Sequence, residues 1–171
     1  RPGRIMSPPV AADNRIFVMD GDSTVTAVAA DTGAVLWTAN VRPEGSERGD
    51  RLLGVVPRGG SNRLTGGFGG GVAVGAGRVF VTSGYRTVTA LDATTGAVAW
   101  TQTVDVPIHS APTFAGGRVF VGDLESQLFA FNAGTGNQEW SYRGIAEPAR
   151  VMRASSVAVS GDTVICLLYT S

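Results

Sequence analysis

The stretch Ala90-Leu91-Asp92-Ala93-Thr94-Thr95-Gly96-Ala97-Val98-Ala99-Trp100 decides how this chain folds. An alternating run, Val88-Thr89-Ala90-Leu91, enters a Thr-Gly turn, and a second short run leaves it carrying a large aromatic, which is how a β-hairpin reads. The pattern returns position for position at Ala130-Phe131-Asn132-Ala133-Gly134-Thr135-Gly136-Asn137-Gln138-Glu139-Trp140. It returns again at Ala27-Val28-Ala29-Ala30-Asp31-Thr32-Gly33-Ala34-Val35-Leu36-Trp37, with Ala29 in the place of Asp92 and Asn132.

Physical chemistry accounts for these residue types. Gly33, Gly96 and Gly136 each follow a Thr at the tip of a tight turn, where a positive φ suits glycine and strains most other residues. Asp92 and Asn132 precede the turn, where a side-chain oxygen accepts backbone N–H bonds in an Asx-type arrangement. Trp37, Trp100 and Trp140 stand four residues past their glycines and offer a large apolar plate with an indole N–H, suited to the seam between neighbouring repeats.

Upstream of each hairpin lies a second shared block: Arg15-Ile16-Phe17-Val18, Arg78-Val79-Phe80-Val81-Thr82 and Arg118-Val119-Phe120-Val121-Gly122. Before these come Ser7-Pro8-Pro9-Val10, Gly71-Val72-Ala73-Val74 and Ala111-Pro112-Thr113-Phe114, so the unit is four short strands. Trp100 to Trp140 and Phe80 to Phe120 are each 40 residues apart, the period of a β-propeller blade. Trp37 to Trp100 is 63 residues, which places an inserted loop of about 23 residues between the first two units. The expected organisation is blade 1 over about 7–41, an insertion over 42–70, blade 2 over about 71–104, blade 3 over about 110–144 and the start of a fourth over about 154–165. No window repeats apolar residues at helical spacing, and 24 glycines oppose helix, so the fold class is all-β.

The pattern Ala-x-Asp-x-x-Thr-Gly-x-x-x-Trp resembles the tryptophan-docking repeat of the pyrroloquinoline-quinone-type propellers. Gly69-Gly70-Gly71-Val72-Ala73, Gly77-Arg78-Val79-Phe80-Val81-Thr82-Ser83-Gly84-Tyr85, Ser110-Ala111-Pro112-Thr113 and Gly144-Ile145-Ala146-Glu147-Pro148-Ala149-Arg150 are similar to the outer-membrane protein assembly factor (BamB) family, alphaproteobacterial type. That resemblance runs from about Ser7 to Ile165 and implies an eight-bladed propeller, of which this chain would hold about three and a half blades. It further implies a non-catalytic lipoprotein scaffold of the barrel assembly (BAM) complex, in the periplasm at the inner face of the outer membrane. Its partners would be a BamA-like barrel-inserting subunit and unfolded outer-membrane protein clients, with no cofactor, nucleic acid or small-molecule substrate. The partner-binding loop of that family maps onto Arg150, Val151, Met152 and Arg153, where adaptable aliphatics stand beside cations. The same superfamily contains quinone-dependent dehydrogenases, the alternative reading, together with sensor or binding propellers.

Composition fits a β-rich globular chain: 43% apolar, 16% charged and net charge zero. Neutrality removes the electrostatic reason to expect nucleic acid or an anionic membrane as partner. All 14 basic residues are Arg, which reads as a codon bias. The single Cys166 excludes an internal disulfide and a multi-cysteine metal site. The chain opens at Arg1 without Met, signal peptide or lipid-acceptor Cys, so targeting and anchoring segments are expected upstream. Cys166-Leu167-Leu168-Tyr169-Thr170-Ser171 departs from the repeat and is expected to be a non-family tail.

Other candidates for chemistry have plainer readings. Asp20-Gly21-Asp22-Ser23 begins like a calcium loop but lacks its later ligands, and a hairpin turn is expected. Gly66 to Gly71 resembles a phosphate cradle, yet no Lys-Ser/Thr or helix follows, and the insertion with Arg42, Arg48, Arg51, Arg58 and Arg63 reads as a surface loop. His109 is the only histidine and has no ligating partner in sequence, so a loop position is expected. Asp123-Leu124-Glu125 sits in series on a turn with no opposing carboxylate. No catalytic, metal or cofactor-binding residue is therefore assigned.

Overall fold

The computed structural model describes residues 7–43, 70–108, 110–123, 127–144 and 157–166. Its strands, in chain order, are β1 (Val10–Ala12), β2 (Arg15–Met19), β3 (Thr24–Ala29), β4 (Val35–Asn40), β5 (Gly71–Gly75), β6 (Arg78–Thr82) and β7 (Thr87–Asp92). They continue as β8 (Val98–Thr103), β9 (Thr113–Ala115), β10 (Arg118–Gly122), β11 (Gln127–Asn132), β12 (Gln138–Arg143), β13 (Val157–Ser160) and β14 (Thr163–Cys166). Strands β1 to β4, β5 to β8 and β9 to β12 form three antiparallel meanders of four strands, and β13 pairs with β14. Among the described residues no helix forms.

Two of the first strands begin later than the sequence pattern suggests. Ser7-Pro8-Pro9 precedes β1 and Ala111-Pro112 precedes β9, because proline has no N–H to give to a ladder. At the far end β14 runs through Cys166, which pairs with Val157, so Cys166 belongs to the fourth sheet and not to a tail outside the repeat.

The first and second strands of each sheet are joined by two-residue turns that need positive φ at both positions. Asp13 and Asn14 (φ 50° and 58°), Ala76 and Gly77 (50° and 70°) and Gly116 and Gly117 (56° and 75°) supply it.

Burial follows from stacking. In the first sheet β3 alternates between buried and part-buried residues, whereas β7 in the second sheet is buried at all of its first five residues. A sheet covered on one face alternates, and one flanked on both faces reads as a continuous apolar run. The apolar side chains accordingly gather in three seams. Phe17, Val25, Ala27 and Trp37 meet Val79, Val81 and Leu91 in the first, and Phe80, Val88 and Trp100 meet Val119, Phe129 and Phe131 in the second. Phe120, Leu128 and Ala130 meet Val157 in the third. The first strands β1, β5, β9 and β13 lie successively against one another, which gives the sheets their radial, propeller-like arrangement.

Candidate functional site

Within each sheet one row of side chains crosses strands two, three and four. Phe17 pairs with Ala27 and Ala27 with Trp37; Phe80, Ala90 and Trp100 repeat the row, as do Phe120, Ala130 and Trp140. The small central alanine lets the flanking rings meet over it at 5.9, 6.0 and 5.8 Å between centroids. Beside each such alanine the register shifts, so that Val28 pairs with Val35 and Leu36 is skipped. This bulge turns Trp37 onto the buried face, and the same shift serves Trp100 and Trp140.

Each tryptophan then meets the following sheet. Trp37 Nε1 donates to Ala93 O at 3.1 Å and Trp100 Nε1 to Ala133 O at 3.0 Å. A Cβ on Gly96 would lie 2.7 Å from the Trp37 ring, and one on Gly136 would lie 2.6 Å from the Trp100 ring. Glycine is thus required at these turns twice over, by φ of 76° and 79° and by the plate lying against it. Gly33, at φ 69°, has nothing within reach of such a Cβ.

The turns are held from within. Gly96 N donates to Asp92 O and Gly136 N to Asn132 O, closing five-residue turns. Asp92 Oδ1 accepts from Thr94 N, Thr95 N and Thr95 Oγ1, and Asn132 Oδ1 accepts from Gly134 N and Thr135 N. The Thr95 and Thr94 bonds hold the Asp92 carboxyl below its ordinary range. In the first sheet Ala29 has no such oxygen, and Gly33 N still donates to Ala29 O.

Further latches had no assigned role in the sequence reading. Arg78 Nη1 donates to Ala133 O at 2.8 Å and also to Gly134 O, so it grips the same turn that receives Trp100. The available signal was an Arg at the start of all three second strands, Arg15, Arg78 and Arg118. Arg118 instead pairs with Glu139 of its own sheet, and that contact, with Asn132, lowers the Glu139 carboxyl. Thr82 Oγ1 accepts from Gly71 N and donates to Ser110 O at 2.6 Å, while Ser110 Oγ donates to Gly122 O at 2.7 Å. These buried hydroxyls stitch the first strands of adjacent sheets together.

Turns at the opposite rim use carboxylates structurally. Asp20 Oδ1 accepts from Asp22 N and Thr24 N, the hairpin arrangement expected there, and Asp123 Oδ1 accepts from Gln127 N. Among the described residues no three His, Cys, Asp or Glu side chains gather. The roots of the insertion are fixed on the same rim. Arg42 Nε donates to Tyr85 Oη at 3.0 Å with its guanidinium over that ring, and Gly71 N is held by Thr82. Residues 44–69, His109, Leu124, Glu125, Arg150, Val151, Met152, Arg153 and 167–171 lie outside the described residues.

Trp140 differs from its two counterparts. It is 37% exposed, whereas Trp37 and Trp100 are each 9% exposed, and its indole N–H has no acceptor among the described residues.

Comparison with known proteins agrees with this architecture. A protein from Burkholderia pseudomallei described as outer membrane protein assembly factor BamB is 31% identical over 165 residues, covering 95% of this chain and 36% of that protein. The dehydrogenase subunit of a quinone alcohol dehydrogenase from Gluconacetobacter polyoxogenes is 26% identical over 168 residues, covering 88% of this chain and 21% of that one. The chain thus spans about a third or less of the length of these relatives. Among solved structures, BamB from Moraxella catarrhalis superposes with a TM-score of 0.60 at 16% identity, over 82% of this chain and 37% of that one. The computationally designed Ika4 protein superposes with a TM-score of 0.69 at 12% identity, over 97% and 86%. Both likenesses show the fold. The sequence profile described as outer membrane protein assembly factor BamB matches residues 2–56 and 22–169. With nearly the whole chain inside that match, and the docking seams built as the repeat requires, the chain belongs to the BamB family of β-propellers.

Proposed function

We propose that this chain is part of a non-catalytic scaffold subunit of the outer-membrane β-barrel assembly complex. In this reading it works in the periplasm, held at the outer membrane by a lipid anchor, and binds a BamA-like barrel-inserting subunit to aid insertion of outer-membrane proteins. The observation that carries the reading is where the repeat's polar side chains go. Two of the three indole N–H groups, the oxygens of Asp92 and Asn132, and the guanidinium of Arg78 are engaged in holding one sheet to the next or in shaping the turn that does so. What remains for function is a rigid frame with long connections along one rim. An even number of antiparallel strands brings the start and end of every four-stranded sheet to the same rim, so Pro43, Gly70, Gly144 and Val157 flank connections on one side. Arg150, Val151, Met152 and Arg153 fall in the connection after Gly144, and adaptable apolar groups beside arginines suit an interface anchor.

The test is co-purification of a BamA-like subunit with the tagged chain. The Met152→Ala, Arg153→Ala double variant is expected to lose that partner while keeping the wild-type circular dichroism spectrum. Retention of the partner at wild-type yield would move the site to another loop.

A second reading is favoured by the quinone-dependent relative. The resemblance places a vicinal cysteine pair over the quinone and a group of acidic and amide ligands on calcium. The residues present do not fit that group: there is one cysteine, and Asp20, Asp92 and Asp123 each use a carboxylate oxygen to hold their own turns. No step is therefore derived through a quinone. A saturable rise in Tm on adding pyrroloquinoline quinone with calcium would revive this reading, since a ligand of the native state stabilises it by mass action.

A further inference from the structure

Three of the sheets have four strands, and the fourth has two among the described residues. Strand β14 pairs along one edge with β13, and its other edge has no strand partner among those residues. Facing that edge is the outer strand of the third sheet, β12, exposed along its whole length. Trp140 and Tyr142, at 37% and 59% exposure, stand two residues apart on it and so share one face.

The two complete seams show what such a face receives. Trp37 lies on the β7–β8 hairpin and Trp100 on the β11–β12 hairpin, each with its indole N–H on the carbonyl of the alanine after the Asx and its ring against the turn glycine. Arg118 stands at the position from which Arg78 grips the next turn. A folded second copy is a poor source of this hairpin. Its three Thr-Gly hairpins are already the outer halves of sheets, and the inner strands paired to them would collide with β13 and β14.

We infer that the free edge of β14 and the Trp140–Tyr142 face together form a docking site for a β-hairpin of another chain, one that is not yet committed to a sheet. Its first strand pairs with β14 through main-chain hydrogen bonds, so that affinity is largely independent of sequence. Its turn sets the specificity, with a carbonyl to accept the Trp140 N–H and a residue without Cβ beneath the ring. The site is independent of the assembly reading above, since it rests on the seams alone.

The probe is a fluorescein-labelled synthetic peptide of residues 86–104, which carries the β7–β8 hairpin, titrated with the 171-residue chain and followed by fluorescence anisotropy. Saturable binding is expected, with slowed amide exchange along Thr163–Cys166. The same peptide carrying Gly96→Val should bind about tenfold more weakly, the effect of losing one buried hydrogen bond and its ring contact. The chain carrying Trp140→Ala should show a similar loss, and because the peptide variant leaves the chain untouched, misfolding cannot account for both. No binding by the parent peptide overturns the inference, as does equal binding by the Gly96→Val peptide. A chain that is already dimeric, and whose dimer the peptide does not compete away, also overturns it, because a second copy then holds the face.

Discussion

Replacing Trp100 by alanine removes the plate of the seam between the second and third sheets. The ring is 9% exposed, touches Phe80 at 6.0 Å between centroids and donates to Ala133 O. Truncating a buried aromatic costs about 3–5 kcal/mol in burial and cavity. The carbonyl left without its indole donor adds roughly 1 kcal/mol. Trp140→Ala is the internal control: it breaks the matching contact with Phe120 at 5.8 Å, but that ring is 37% exposed and has no acceptor among the described residues. Its loss should be about 1–2 kcal/mol on the area scale. The gap between the variants, about 2 kcal/mol or more, corresponds to roughly 4–8 °C in Tm for a chain of this size. Differential scanning calorimetry of both variants and of Trp100→Phe separates the contributions, because phenylalanine keeps an apolar plate and lacks the N–H. Equal losses from Trp100→Ala and Trp140→Ala would refute the claim that the seam, rather than the aromatic row within each sheet, gives this tryptophan its importance.

Two further outcomes follow from the turns. Gly33→Ala and Gly136→Ala both force alanine to a positive φ, costing about 1–2 kcal/mol, but only the second drives a Cβ to within 2.6 Å of the Trp100 ring. Urea unfolding should therefore show a larger loss for Gly136→Ala, and equal losses would mean that the ring yields freely. For Asp92, the lowered carboxyl means that its contribution to stability is present above the ordinary carboxylate pKa of about 4 and fades as pH falls through the lower folded value. Asp92→Asn keeps an oxygen for Thr94 N and Thr95 N, as Asn132 does in its own turn, so the lead of wild type over this variant should shrink below about pH 4. Parallel Tm curves from pH 7 to pH 2 would show that the carboxylate charge does not matter to the turn.

The repeat, the all-β class and the positions of the turns were legible in the sequence, because each rests on short-range chemistry. Alternation sets the strand, Thr-Gly sets the turn, and an Asx oxygen reaches amides two and three residues on. Strand starts were less legible: Pro9 and Pro112 hold β1 and β9 to the residues that follow them, although their apolar neighbours extend the pattern backwards. The candidate site was legible only as residue types. That Trp37 and Trp100 meet glycines of the following sheet, that Arg78 grips the same turn, and that Ser110 and Thr82 stitch first strands together all depend on residues 28 to 56 positions apart.

Local propensity carries no information about which face of a sheet a neighbouring sheet will cover. The bulge after Ala27, Ala90 and Ala130 turns each tryptophan to one side, but stacking determines whether anything waits there. The sequence by itself determined three equivalent hairpins, since the turn chemistry of each is contained within about eleven residues. Only the tertiary structure decided that two of their tryptophans are sealed and the third is open. Burial belongs to a pair of sheets, and among the described residues the third sheet faces only half of a neighbour.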